Sequence, residues 1–155
     1  MCAIITIFGC IKLFRKKVDD EMDGNELRLR ERVTDAKKIL IIDDQKEIGE
    51  DLSEFLIAAG YETQYAINAK QGFTLLEKLQ LHLLILDLKM AETNGFEVLR
   101  NLAGQYPSLI IFVLSGMKEP ETIKTAIAYG ACEFIAKPIN ARVLLGNYIR
   151  PTLGM

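Results

Sequence analysis

The chain has 155 residues, of which 50% are hydrophobic and 26% are charged, a composition typical of one globular domain. Its 19 Lys and Arg residues are balanced by 21 Asp and Glu residues, which gives a net charge of −2 and leaves no basic excess to bind a nucleic-acid backbone. Cys2, Cys10 and Cys132 are too few and too scattered for a disulfide framework or a zinc site. We therefore expect a protein of the reducing cytoplasm that does not bind nucleic acid.

The first 35 residues differ from the rest of the chain. An apolar run over residues 1–14, interrupted by Lys12, is followed by the basic residues 15–17 and the acidic stretch 19–25. The run is shorter than the ~20 residues that span a bilayer, and it lacks the charged start and the cleavage site of a signal peptide. We expect residues 1–35 to form a loosely ordered extension without membrane contact, and residues 36–155 to form the folded domain. A start at Met22 and a membrane-contacting anchor stay open as alternatives.

Apolar runs and amphipathic stretches alternate from residue 36 onward. The first run, Lys38–Ile42, has no polar alternation and predicts a strand that is buried on both faces of a parallel sheet. Helical spacing of apolar residues then predicts a helix over residues 48–59, and Gly60 supplies its C-terminal stop. A second strand is predicted over Tyr61–Ile67, followed by a helix that begins at an Asn68 N-cap.

The same alternation continues to the end of the domain. Strands are predicted over Leu83–Asp87, Leu109–Ser115 and Cys132–Ala136, with Cys132 as a small buried residue. A helix follows each strand: the first comes after an Asn-Gly loop, the second begins near Pro120, and the last runs from about residue 140 to 148. Five strand–helix units indicate an α/β fold, a doubly wound five-stranded parallel sheet with helices on both faces.

Polar side chains stand at the carboxyl ends of four predicted strands, where open parallel sheets place their functional sites. They are Asp43 and Asp44 on the first, Asp87 on the third, Ser115 on the fourth and Lys137 after the fifth. Three converging carboxylates repel one another unless a cation holds them, and oxygen ligands of this kind suit Mg²⁺. The lysine ammonium and the serine hydroxyl suit the oxygens of a phosphoryl group.

The joint order of these motifs, over about residues 37–150, resembles the receiver domain of two-component response regulators, and in particular the stand-alone, chemotaxis-regulator-like members. The matching segments are Asp43-Asp44, Asp87-Leu88-Lys89-Met90 before Gly95, Leu114-Ser115-Gly116, and Phe134-Ile135-Ala136-Lys137-Pro138. The resemblance implies a flavodoxin-like fold with strand order 2-1-3-4-5 and a Mg²⁺ cofactor.

The resemblance also implies how the acidic residues act. Asp87 would be the phosphoacceptor, which receives a phosphoryl group from a phosphohistidine on a sensor histidine kinase or from a phosphotransfer protein. Asp43 and Asp44 would hold Mg²⁺, and Asp87 and the backbone carbonyl of Lys89 would complete the protein ligands. Lys137 would pair with a phosphoryl oxygen, and a cis peptide between Lys137 and Pro138 would orient it.

Further residues are implied to switch the domain and to tune its rates. Ser115 would bond a phosphoryl oxygen and move inward, and Phe134 would fill the space that it leaves. The positions two residues beyond the phosphoacceptor and beyond this serine, Lys89 and Met117, would set the rate of dephosphorylation. One departure is Ala91, which stands where the family most often has proline, so we expect a less pre-organised loop.

These expectations describe a single-domain response regulator. It would be a signalling protein rather than an enzyme, catalysing only its own phosphoryl transfer and dephosphorylation. Because the chain ends at Met155, just after the last predicted helix, output would come from the face formed by the fourth helix, fifth strand and fifth helix. That face would contact a target protein or a second copy. The alternative is a receiver-like interaction module that works without phosphorylation. An aspartyl phosphohydrolase is disfavoured because Gln45 follows the acidic pair and no Asp-x-Asp spacing occurs.

Overall fold

The computed structural model describes residues 36–154, in which five strands form one parallel sheet. The strands are β1 (Lys38–Ile42), β2 (Glu62–Ala66), β3 (Leu83–Leu86), β4 (Ile110–Ser115) and β5 (Glu133–Ala136). Their order in the sheet is β2-β1-β3-β4-β5, and every neighbouring pair is parallel. The predicted fold class and strand order are confirmed. The extension predicted for residues 1–35 lies outside the described residues.

Helices connect the strands and cover both faces of the sheet. They are α1 (Lys46–Ala58), α2 (Ala69–Lys78), α3 (Gly95–Gln105), α4 (Pro120–Ala128), α5 (Ala141–Leu144), a π-helical segment (Leu145–Ile149) and α6 (Arg150–Leu153). The Asn68 side chain accepts a hydrogen bond from the Gln71 backbone N–H, as predicted for an N-cap. Within the described residues, no helix combines the length and the apolarity that crossing a membrane requires.

The core consists of two hydrophobic clusters, one on each face of the sheet. Successive strand residues point to opposite faces, so Leu40 and Ile42 join the cluster under α2, α3 and α4, whereas Ile39 and Ile41 join the cluster under α1 and the C-terminal helical segment. Since both faces are covered, β1 and β3 need apolar residues at nearly every position. Polar residues are therefore placed where these strands end.

The C-terminal helical segment extends further than the sequence predicts, to Leu153 instead of residue 148. Pro151 has no N–H, and its ring would clash with the carbonyl four residues earlier in a regular α-helix. The π-helical segment just before it widens the turn, and the Arg150 N–H donates to the Leu145 carbonyl, five residues back. The helix thus passes through the proline instead of ending before it.

Two smaller predictions are corrected. Cys132 is exposed because it directly precedes β5, an edge strand whose first residue, Glu133, is exposed as well. Ile48, placed by its spacing on the apolar face of α1, is 45% exposed. Helical spacing marks the side of the helix that faces the sheet, but it does not show where the packed layer ends.

Candidate functional site

Three charged side chains are brought together by the strand register. Ile42 pairs with Leu86, so the next residues, Asp43 and Asp87, emerge side by side at the carboxyl ends of β1 and β3. Lys137 follows β5, and its Nζ donates to Asp43 Oδ2 at 2.6 Å and to Asp87 Oδ2 at 3.1 Å. One ammonium therefore bridges two carboxylates that are almost fully buried.

Asp44 completes an acidic cluster with these two carboxylates. One oxygen each from Asp43, Asp44 and Asp87 lies within 4.8 Å of the others. Three carboxylates against one ammonium leave two uncompensated negative charges, an arrangement that favours a bound cation. Compact groups of carboxylate oxygens are the ligands that hard cations such as Mg²⁺ prefer, so the residues present fit that ion.

Backbone N–H groups orient each carboxylate of the cluster. Asp43 Oδ1 accepts from the Gln45 N–H at 2.8 Å, and Asp87 Oδ1 accepts from the Lys89 N–H at 2.9 Å. Asp44 Oδ2 accepts from the Ala91 N–H at 2.9 Å, which joins the loop after β1 to the loop after β3. Proline could not donate this bond. The alanine expected to loosen the loop therefore adds a cross-link to it.

Burial and charge shape the protonation of the site. Burial raises the pKa of Asp87, and the nearby Asp43 carboxylate adds to the rise, while the Lys89 N–H and the Lys137 ammonium oppose it. Burial alone would lower the pKa of Lys137, but hydrogen bonding to Asp43 and the charges of Asp87 and Asp43 raise it overall. The Lys137 ammonium therefore stays charged. It is shared between the two carboxylates and lies closer to Asp43 than to Asp87.

Ser115 and its neighbours lie on the other side of the site, at the ends of β4 and β5. The Ser115 side chain is fully buried; its Oγ accepts from the Met117 N–H at 3.3 Å, and its carbonyl accepts from the Lys137 N–H at 2.9 Å. The peptide bond between Lys137 and Pro138 is cis. Phe134 pairs with Val113 and lies half-buried against the hydrophobic core.

An open cleft of about 510 Å³ exposes the site to solvent. Its lining residues are Asp44, Gln45, Asp87, Lys89, Met90, Ala91, Gly116 and Lys137. The cleft has an acidic floor and a charged lysine, so a cation held by the carboxylates would, together with Lys137, offset the charge of a small anionic group beside Asp87.

Sequence reasoning missed one residue that touches this site. The Tyr65 hydroxyl in β2 donates to the Asp43 backbone carbonyl at 2.8 Å. A tyrosine at a half-buried strand position is indistinguishable from an ordinary core aromatic in the sequence. The available signal was Gly49 inside an otherwise regular helix, because an interior glycine often marks a close approach of another group.

Comparison with known proteins gives one consistent result. A family model described as the response regulator receiver domain matches residues 39–148. The response regulator RR06 of Streptococcus pneumoniae is 34% identical over 110 residues, which are 69% of this chain and 49% of that protein. The chain spans between a quarter and about half of the length of the curated relatives it matches.

Solved structures of receiver domains and response regulators resemble the chain as well, and two of them illustrate the likeness. A CheY-like receiver domain protein of Methanospirillum hungatei has a TM-score of 0.72 and 30% identity, covering 76% of this chain and 94% of its own. A response regulator of Burkholderia pseudomallei, crystallised with a phosphorylated aspartic acid and a calcium ion, has a TM-score of 0.67 and 28% identity, covering 70% of this chain and 64% of its own.

Proposed function

The chain belongs to the response regulator receiver family, and on that premise we propose that it is a response regulator whose phosphoacceptor is Asp87. The donor would be the phosphohistidine of a sensor histidine kinase or of a phosphotransfer protein. The observation that carries this proposal is the shared ammonium: Lys137 reaches both Asp43 and Asp87, within an acidic cluster open to solvent. The cytoplasmic location expected from the cysteines is part of the proposal.

The chemistry is a transfer between two nucleophiles. An Asp87 carboxylate oxygen attacks phosphorus, the bond from phosphorus to the donor imidazole nitrogen breaks, and its electron pair returns to the imidazole. A carboxylate and a phosphoryl group repel each other, so the Lys137 ammonium must offset the charge on the phosphoryl oxygens. Asp43, Asp44, Asp87 and the Lys89 carbonyl would hold Mg²⁺, which when bound supplies further charge neutralisation.

A relative supports this assignment. The Burkholderia pseudomallei response regulator carries a phosphorylated aspartic acid together with a calcium ion. Calcium and magnesium are both hard cations that take oxygen ligands. We therefore infer that the acidic cluster of this chain accommodates a divalent cation beside a phosphorylated Asp87.

We propose that phosphorylation is read out by protein contact in a stand-alone regulator. Ser115 would bond a phosphoryl oxygen, and Phe134, half-buried on β5, would move inward. The surface formed by α4, β5 and α5 carries the exposed apolar residues Ile123, Ile127 and Val143, which suit a target protein or a second copy. A free-energy change of about 2–3 kcal/mol at the site would shift the population substantially.

Intact-mass measurement tests the proposal. The protein is incubated with Mg²⁺ and a small acyl-phosphate donor, and we expect a gain of one phosphoryl group. The matched variant Asp87→Asn keeps the size of the side chain and removes the nucleophile, so it should show no gain. If the wild-type chain gains no phosphoryl group from any donor, a histidine kinase included, the phosphorylation-independent interaction module replaces this proposal.

A further inference from the structure

Tyr65 fits into a space that Gly49 leaves open. A Cβ added to Gly49 would clash with the Tyr65 ring, lying 2.6 Å from Cδ2 and 2.7 Å from Cζ. Glycine in a helix interior destabilises it by roughly 0.5–1 kcal/mol relative to alanine, and Gly49 lies inside α1. The helix therefore carries a destabilising residue at the position where the tyrosine ring passes against it.

Because the Tyr65 ring packs against Gly49, its hydroxyl reaches the backbone of the acidic pair Asp43 and Asp44. The Tyr65 O–H donates to the Asp43 carbonyl at 2.8 Å, and the Asp43 N–H donates to the carbonyl of the next β2 residue, Ala66, at 3.2 Å. Two successive residues of β2 thus hold both polar backbone groups of Asp43. The Tyr65 bond is made to the carbonyl of the peptide that leads to Asp44, so it fixes where that carboxylate starts.

We propose that Tyr65 is a positioning residue for the cation site, and that Gly49 serves to admit its ring. This inference rests on the proposed function because it concerns the same acidic cluster. Without the hydroxyl, the Asp43–Asp44 peptide loses the hydrogen bond that orients its carbonyl and must be ordered further when the cation binds, which weakens binding. Burial and the carboxylates of Asp43, Glu50 and Asp44 raise the pKa of Tyr65, so its hydroxyl remains a donor at neutral pH.

The chain offers a matched control for this hydroxyl. Tyr61 also donates a hydroxyl bond to a backbone carbonyl, that of Gly154 at 3.2 Å, at the C-terminal end of the described chain. In calorimetric titrations with Mg²⁺, we expect Tyr65→Phe to raise the Kd about three- to tenfold and Tyr61→Phe to leave it unchanged. The Tyr65→Phe defect in phosphorylation should appear at limiting Mg²⁺ and recover at saturating Mg²⁺, which a general folding defect would not do.

Gly49→Ala tests the same positioning role at the residue that admits the Tyr65 ring. It keeps the hydroxyl but displaces the ring, so its Kd for Mg²⁺ should rise as well. If both changes act through one hydrogen bond, the Kd of the double variant Gly49→Ala/Tyr65→Phe for Mg²⁺ should be no higher than that of the single variant that binds Mg²⁺ more weakly. Additive losses of Mg²⁺ affinity would show that Gly49 and Tyr65 act independently.

The outcomes separate this inference from the proposed function. If the wild-type chain binds Mg²⁺ and is phosphorylated, but Tyr65→Phe binds Mg²⁺ as tightly as Tyr61→Phe does, the positioning role is wrong and the proposed function stands. If the wild-type chain neither binds Mg²⁺ nor gains a phosphoryl group, the proposed function fails and the positioning role fails with it.

Discussion

The carboxyl edge of the sheet has two halves that are built differently. On the β1–β3 half, Asp43, Asp44 and Asp87 each accept a backbone N–H bond of 2.8–2.9 Å. On the β4–β5 half, the Ser115 hydroxyl accepts a longer bond of 3.3 Å, and Phe134 is only half-buried. The first half is pre-organised to bind charge, which favours catalysis. We propose that the second half, with its longer bond, rearranges when that charge arrives.

The largest effect should come from the residue that joins the two halves. Lys137→Ala removes the ammonium between Asp43 and Asp87, whose side chains are 5% and 6% exposed. We expect a loss of about 3 kcal/mol in the free energy of unfolding without metal, because two buried carboxylates lose their partner. Denaturant unfolding with and without Mg²⁺ measures it, and Mg²⁺ should restore part of the loss.

Lys124→Ala is the matched control for that loss. Its ion pair with Glu121 has a length of 3.1 Å, as does the pair between Lys137 and Asp87, but its side chains are 73% and 84% exposed. An exposed pair contributes less than about 1 kcal/mol. Equal losses in the two variants would show that burial does not set the energetics of the site.

The second prediction concerns the less tightly held half. Met117 is half-buried beside Ser115, and we hypothesise that it shields a phosphorylated Asp87 from water. Met117→Asn should therefore speed dephosphorylation about three- to tenfold, equivalent to about 0.7–1.4 kcal/mol in the barrier. The decay of the phosphorylated chain is followed by intact mass, with Lys118→Asn at the neighbouring exposed position as control. An unchanged decay rate in Met117→Asn would refute the shielding hypothesis.

The third prediction weakens the pre-organised half. Ala91→Pro removes the N–H that orients Asp44, so the affinity for Mg²⁺ should fall about two- to fivefold. Ala91→Ser keeps the N–H and should bind Mg²⁺ as the wild-type chain does. Calorimetric titration distinguishes them. Equal affinity in Ala91→Pro and Ala91→Ser would mean that the hydrogen bond between the two loops does not contribute to Mg²⁺ binding.

The smallest expected effect is a pH dependence of metal-free stability. Since burial raises the pKa of Asp87 in the folded state, the folded chain binds a proton more tightly than the unfolded chain does. Stability is thus lost as pH rises above the ordinary aspartate pKa of about 3.9. Asp87→Asn should melt at a higher temperature than the wild-type chain at neutral pH, and this difference should vanish in acid. A difference that stays constant with pH would contradict the assignment.

Much of this architecture could be predicted from the sequence because strands that are buried on both faces are apolar at nearly every position. Runs without polar alternation marked β1 and β3, and the acids that interrupt those runs marked the edge where Asp43, Asp44 and Asp87 meet. The order of the strands, by contrast, followed from the family resemblance and not from periodicity.

Other features could not be predicted because they depend on three-dimensional register. The bonds from Tyr65 to Asp43 and from Ala91 to Asp44 join residues 22 and 47 positions apart, and no local pattern encodes them. The π-helical segment before Pro151 reflects packing of Leu145 and Ile149 in the core, which favours continuing the helix where the proline alone predicts a stop.

Mapping the phosphorylated residue tests the central claim most directly. The chain is treated with Mg²⁺ and a small acyl-phosphate donor, reduced with borohydride to convert any aspartyl phosphate into homoserine, and sequenced by tandem mass spectrometry. We predict conversion at Asp87 alone, and only when Mg²⁺ is present. Conversion at another carboxylate, or at Asp87 to the same extent with Mg²⁺ chelated, would contradict the proposal that Asp87 is phosphorylated in a cation-dependent site.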